Sequence, residues 1–197
     1  MSSPLAPDSP EHGAIPGPVV AIPVYAGVSE LELGIMVTVC RLCGGPGATR
    51  TVNRSRASIL TAGGLVSTPH VLYAALPEPA ALLLPGGPGA AKASRDPLLR
   101  AFLSAHAALP AGASGSGLLL LGEAGCLRGR EIGASDNLTE TLWSYEPLEI
   151  HPGQAVTDTH LRTAPAGLGA FEAALHVAGA LWGEDAAGDA ARRLGYQ

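Results

Sequence analysis

The sequence predicts one α/β domain built on a largely parallel sheet, and three observations carry that prediction. Short apolar runs alternate with longer helical patterns along most of the chain, the order expected when strands and covering helices follow one another. Among 197 residues there are 26 glycines and only 4% aromatics, so the core is assembled mostly from Ala, Val, Leu and Ile. That composition suits a sheet buried on both faces by closely packed helices. A chain of this length can bury ~70% of its unfolded surface in a single core, and no repeat or second domain interrupts it.

The elements follow in order. "VVAIPVY" (Val19 to Tyr25) is a buried strand, and "SELELGIMVTVCRLC" after Gly27 is apolar on most sides, a buried helix. "TRTVNRS" reads as a strand and "ILTAGGLVST" as a hairpin turning at Gly63 and Gly64. "AALLLPGGPG" is a strand that breaks at Pro85. In "DPLLRAFLSAHAAL", Leu98, Leu99, Phe102 and Leu103 have helical spacing behind an Asp96 cap and a Pro97 first turn. A helix is expected over "GLLLLGEAGCL", with Cys126 about three turns in, as a core residue. Leu138 to Arg162 reads as irregular with short strands, and "GLGAFEAALHVAGALWGE" and "DAAGDAARRLGY" as closing helices.

Composition also excludes functions. A net charge of -5 gives no electrostatic footprint for nucleic acid. The start, "MSSPLAPDSPEHGAIPGP", lacks the basic and apolar regions of a signal peptide. Residues 1–18 are expected to be a disordered Pro/Ser-rich tail and residues 19–197 the single domain. No apolar run reaches the ~18 residues of a membrane span, so a cytoplasmic location is expected. Three cysteines, Cys40, Cys43 and Cys126, form no secreted disulfide framework. "CRLC" has redox spacing, but it lies near a helix end, where the dipole disfavours thiolate, and no nearby cluster completes a metal site. No metal or cofactor is expected.

The stretch "PAGASGSGLLLLGEAGCL" raises the functional question. A nucleophile elbow is a sharp strand-to-helix turn of small residues around one reactive side chain, and here the small residues surround no evident nucleophile. "LLLPGGPG", "GLLLLGEAGCLRGR" with its downstream strand, and "TAPAGLGAFEAALHVAGALWGE" together resemble, in order and spacing, the ThiJ/PfpI superfamily. The resemblance spans roughly Val19 to Tyr196 and is nearest to isonitrile hydratase-like proteins. It implies a flavodoxin-like three-layer sandwich of the class I glutamine amidotransferase-like type, a homodimer, and a site at the carboxyl ends of the strands. It also implies three catalytic elements: an acidic residue on the first helix, an elbow Cys, and often a His downstream.

The acidic residue falls on Glu32. Ser29-x-x-Glu32 is equally a capping box, in which Glu32 folds back onto its own helix start. The Cys is absent. Counting back from the helix puts Gly115 at the elbow, with Ala113 and Gly117 flanking it; Ser114 is the next placement and Ser116 the last. The family's His aligns with Ser135, followed by Asp136. His151 and His160 could reach the pocket from the irregular segment, although exposed loop positions suit them better, and His176 reads as a packed or partly exposed helix residue. The frame that survives is made of the backbone amides of Gly86 and Gly87, which the resemblance makes an oxyanion hole, and those of Ser116 and Gly117 at the helix start. With Glu32, Gly115 and Asp136, these residues would hold a small ligand.

The functional expectation is therefore a catalytically degenerate protein that binds a small polar or anionic ligand, in stress response or regulation. The rival is a small-molecule hydratase or hydrolase using Ser114 or Ser116 with a relocated base, Glu32 being the remaining catalytic candidate.

Overall fold

The computed structural model describes residues 17–76 and 78–196. The expected tail, apart from Gly17 and Pro18, lies outside the described residues.

The chain runs β1 (Val20–Pro23), α1 (Glu30–Gly44), β2 (Thr49–Asn53), β3 (Ile59–Leu60), β4 (Val66–Ser67), β5 (Val71–Leu72), β6 (Ala81–Leu84), α2 (Ala90–Ala93) and α3 (Pro97–Ala105). It continues with β7 (Ala111–Ser114), α4 (Leu118–Glu123), β8 (Glu131–Ala134), α5 (Thr139–Leu142), β9 (Glu149–Pro152), β10 (Val156–Asp158), β11 (Leu161–Ala164), α6 (Gly169–Trp182) and α7 (Glu184–Arg193). Seven strands form the central sheet in the order β10-β11-β7-β6-β1-β2-β5. Only β10, paired with β11, runs antiparallel to its neighbour. The strand order reverses between β1 and β6, which places a crevice at their carboxyl ends.

Two apolar layers sandwich this sheet. On one face α1 buries Glu32, Ile35, Met36, Val39 and Cys40, the i, i+3, i+4, i+7, i+8 stripe of an amphipathic helix. This stripe meets Val20 and Ile22 of β1 and Ala173, Ala174 and Val177 of α6. On the other face Leu99, Phe102 and Leu103 of α3 join Leu118 to Leu121 of α4 over Leu82 and Leu84. Each fully buried Leu or Ile contributes about 1.5–3 kcal/mol relative to exposure. α1 and α3 begin at the expected caps: Ser29 Oγ accepts from Glu32 N, and the Asp96 side chain accepts from Leu98 N ahead of Pro97.

β7 consists of four small residues because α6 crosses it at backbone contact. A Cβ on Gly112 would lie 2.9 Å from the carbonyl carbon of Ala173 and 2.9 Å from Leu83 Cδ2.

The hairpin at Gly63 and Gly64 forms as read, as the separate pair β3-β4. One expectation is corrected. The helix after the elbow stops at Glu123, and Gly125 takes φ +77 beyond it, so Cys126 lies past the helix, half-buried against the core. The segment from Leu138 to Arg162 has the short strands expected of it, and α5 in addition, which the sequence reading lacked. It holds α5, β9, β10 and the start of β11, and β9 pairs in parallel with β8 in a separate two-stranded sheet.

Candidate functional site

At the carboxyl end of β7 the backbone makes a sharp strand-to-helix turn. Ser114 is extended (φ -128, ψ 148), Gly115 turns at φ +50, and a 3-10 turn over Gly115–Gly117 leads into α4. The left-handed region disfavours residues with a β-carbon, so the position that needs glycine has it. Ser114 is therefore a strand residue, which corrects its placement as the turn residue, and Ser116 lies within the 3-10 turn. Gly117 packs onto the carbonyl of Leu84, the close approach that demands a small residue there.

The Glu32 carboxylate faces this turn. Its Oε2 accepts from the backbone N–H of Gly86 at 2.7 Å and from the Ser114 hydroxyl at 2.5 Å; its Oε1 accepts from the N–H of Gly167 at 3.0 Å. Only 3% of Glu32 and 0% of Ser114 is exposed. Half of the capping box forms. Ser29 Oγ accepts from Glu32 N at 3.3 Å, but the N–H of Ser29 donates to Gly86 O at 2.8 Å instead of to the Glu32 side chain. The cap and the site-facing carboxylate thus coexist, because the backbone of Gly86 relieves Glu32 of its capping partner.

The turn is roofed by the segment after β11. A Cβ on Gly115 would lie 2.7 Å from Ala166 Cβ and 3.0 Å from Ala166 Cα, so any larger residue at 115 must push this segment away. Two anchors hold the roof: Ala166 N donates to Ser135 Oγ at 2.9 Å, and Gly167 N donates to Glu32. Ser135, at the position where the resemblance places a histidine, thus supports the roof with its hydroxyl. Asp136 beside it is exposed on a 3-10 turn.

The expected anion hole is filled by the chain's own side chains. Gly86 N is committed to Glu32. Gly87 N donates to Ser116 Oγ at 2.9 Å, while the same hydroxyl donates to Gly87 O at 2.9 Å. In this structure both amides expected to face a ligand have internal partners: the sequence shows the glycines but not that Glu32 and Ser116 reach them.

No protein-family model matches this sequence, and no curated protein does. Solved structures do match. The chain is similar to a ThiJ/PfpI family protein from Pseudomonas syringae, with 21% identity and a TM-score of 0.83 over 100% of this chain and 82% of that one. It is similar to DJ-1beta of Drosophila melanogaster at 19% identity and TM-score 0.84, over 92% of this chain and 99% of that one. A mutant of a DJ-1 superfamily protein from Salmonella typhimurium matches at 23% and 0.75, over 91% and 99%.

This is the ThiJ/PfpI fold. Within it, the elbow position carries no side chain and none of the described cysteines takes over. Burial pushes the Cys40 thiol up to about 12, and burial also raises Cys43 and Cys126. Cys43 lies at the far end of α1 from Glu32, and its Sγ donates to Ala186 O at 3.5 Å. His160 and His176 are engaged away from the elbow, His160 Nε2 with Ala107 O at 2.8 Å and His176 Nε2 with His160 O at 3.1 Å. His151, expected in a loop, is a β9 residue.

An open cleft lies at the carboxyl ends of β1 and β2, across β1 from the elbow. It measures about 470 Å³ and is lined by Arg54, Lys92, Arg95, Asp96, Asn53 and Tyr73 among others. Asp96 is partly spoken for as the α3 cap and as the partner of Arg54 at 3.8 Å. Nothing in the sequence pattern marked this cleft, because its cations come from two distant segments, Arg54 just after β2 and Lys92 and Arg95 on α2 and the turn that follows it. No helix among the described residues is long and apolar enough to cross a membrane.

Proposed function

We propose that this chain is a catalytically silent protein of the ThiJ/PfpI fold that binds a small anionic molecule, with the ligand's place moved from the elbow to the neighbouring basic cleft. One observation carries the silent half of this reading: Gly115 lies directly beneath Ala166, leaving neither a nucleophile nor room for one. Covalent catalysis needs a reactive side chain with access to substrate and an activating base. Ser114 has an acid partner, but it is sealed from solvent and its hydroxyl proton is directed at Glu32.

The binding half rests on the cleft. Three cations against one acid favour a carboxylate or phosphate group, and the carboxyl ends of parallel strands are where open α/β sheets hold ligands. Pairing of two copies belongs to the same reading. Exposed Leu31, Leu60, Leu65 and Val66 give α1 and the β3-β4 hairpin, joined by Gly63 N donating to Glu30, an apolar surface for it; a solution mass measurement checks this.

The deciding experiment is calorimetric titration with inorganic phosphate, pyrophosphate and small dicarboxylates, alongside assays of isonitrile, ester and amide turnover. Binding should weaken at least tenfold in Arg54→Ala and Arg95→Ala and persist in Ser114→Ala, with turnover at background throughout. Turnover that disappears in Ser114→Ala or Ser116→Ala would establish the hydrolase reading instead.

A further inference from the structure

The small parallel pair β8-β9 carries a cluster that the elbow and the cleft do not use. In register, Glu131 stands opposite Glu149, and Gly133 opposite His151. Side chains two apart share a strand face, so Glu131, Glu149 and His151 project from one side. Two like charges directly opposite each other on neighbouring strands are destabilising, and here they converge on an imidazole. His151 Nε2 is 3.5 Å from Glu131 Oε2 and 3.9 Å from Glu149 Oε2. That nitrogen is out of solvent and has no hydrogen-bond partner among the described residues.

From these residues we infer that Glu131, Glu149 and His151 form a binding site for a first-row divalent cation of the zinc type. One donor atom from each lies within 4.8 Å of the other two. Zinc-to-nitrogen and zinc-to-oxygen bonds of roughly 2.0–2.2 Å at tetrahedral angles place donors about 3.4 Å apart. Closing the remainder takes only rotation of two glutamates whose side chains are half exposed or more. The imidazole makes Mg²⁺ and Ca²⁺ poor occupants and favours Zn²⁺, Ni²⁺, Co²⁺ or Fe²⁺. Three protein ligands on an open face leave a position for water. The ion's role here is to clamp β8 to β9. β8 leads into Ser135, so the clamp steadies the strand that carries one anchor of the elbow roof.

Tag-free protein titrated with Zn²⁺ at pH 7.5 should bind one equivalent and gain thermal stability with metal concentration, as mass action requires. His151→Gln should lose that equivalent or bind at least tenfold more weakly. Glu149→Gln, an exposed substitution that leaves the fold intact, should do the same, and without metal it should be at least as stable as wild type because a like-charge pair is gone. Co²⁺ should add absorption without a thiolate charge-transfer band, which separates this site from Cys40 and Cys43. An unchanged equivalent in both variants, a thiolate band, or no saturable binding would overturn the assignment.

Discussion

Ala166 stands over Gly115 so closely that a β-carbon at 115 would come within 2.7 Å of the alanine methyl. Gly115→Ala should therefore lose about 2–4 kcal/mol, the sum of left-handed backbone strain and overpacking. In an Ala166→Gly background only the packing part should be relieved, leaving a cost of about 1–2 kcal/mol. Denaturant midpoints of the four proteins in this cycle measure both parts. Equal losses in the two backgrounds would show that Ala166 does not roof the turn.

Glu32→Gln should be more costly than Ser114→Ala. Glutamine offers one acceptor oxygen and turns an N–H₂ toward a backbone donor, leaving Gly86 or Gly167 N–H unmet at about 1–3 kcal/mol on top of a lost charge-assisted bond. Ser114→Ala removes one donor and should lose about 0.5–3 kcal/mol. Chemical denaturation ranks the pair, and the reverse order would mean the carboxylate is dispensable to the node.

Ser114 and Ser116 should resist a fluorophosphonate in the folded protein. One is fully buried and donates to Glu32, and the other is held at both ends by Gly87. Intact-mass measurement reads the outcome, and stoichiometric labelling of either serine would reopen the elbow to catalysis.

The cysteines should be slow to oxidise at neutral pH, because burial raises all three thiols and the thiolate is the reactive form. The same burial has a pH consequence. Folded Cys40 keeps its proton up to about 12, whereas the unfolded chain releases it near about 8.5. Its contribution to stability is complete below the unfolded value and falls as pH rises toward the folded one, by up to about 1.4 kcal/mol per unit. Stability of Cys40→Ala measured from pH 8 to 11 should show a shallower decline than wild type. Parallel curves would rule out Cys40 as the source.

What the sequence disclosed was mostly local. Ser29 and Asp96-Pro97 announce two helix starts because capping is settled within four residues. "PGGPG" and the glycines around 115 announce close backbone approaches. β7 was hard to read as a strand because "AGAS" has no β-branched or large apolar residue; its smallness answers α6, which lies some sixty positions away. Glu32 could be placed on its helix but not in its partnership, since the choice between cap and site depends on where Gly86 arrives. The roof over Gly115, the capture of Gly87 by Ser116 and the basic cleft are all made by loops meeting in three dimensions. No spacing along the chain encodes them.

The three donors that meet on Glu32 lie 54, 82 and 135 residues beyond it. Contacts so distant are slow to form, because each closes a long loop before it is rewarded. On a chain made from its amino end, the carboxylate of α1 keeps water as its partner while β6, then β7, then the segment after β11 are added. Its last amide arrives only when about five-sixths of the chain exists. Until then, burying this edge of the apolar face of α1 would carry the desolvation cost of a carboxylate without its partners, so the last segment to arrive completes the burial of the first helix.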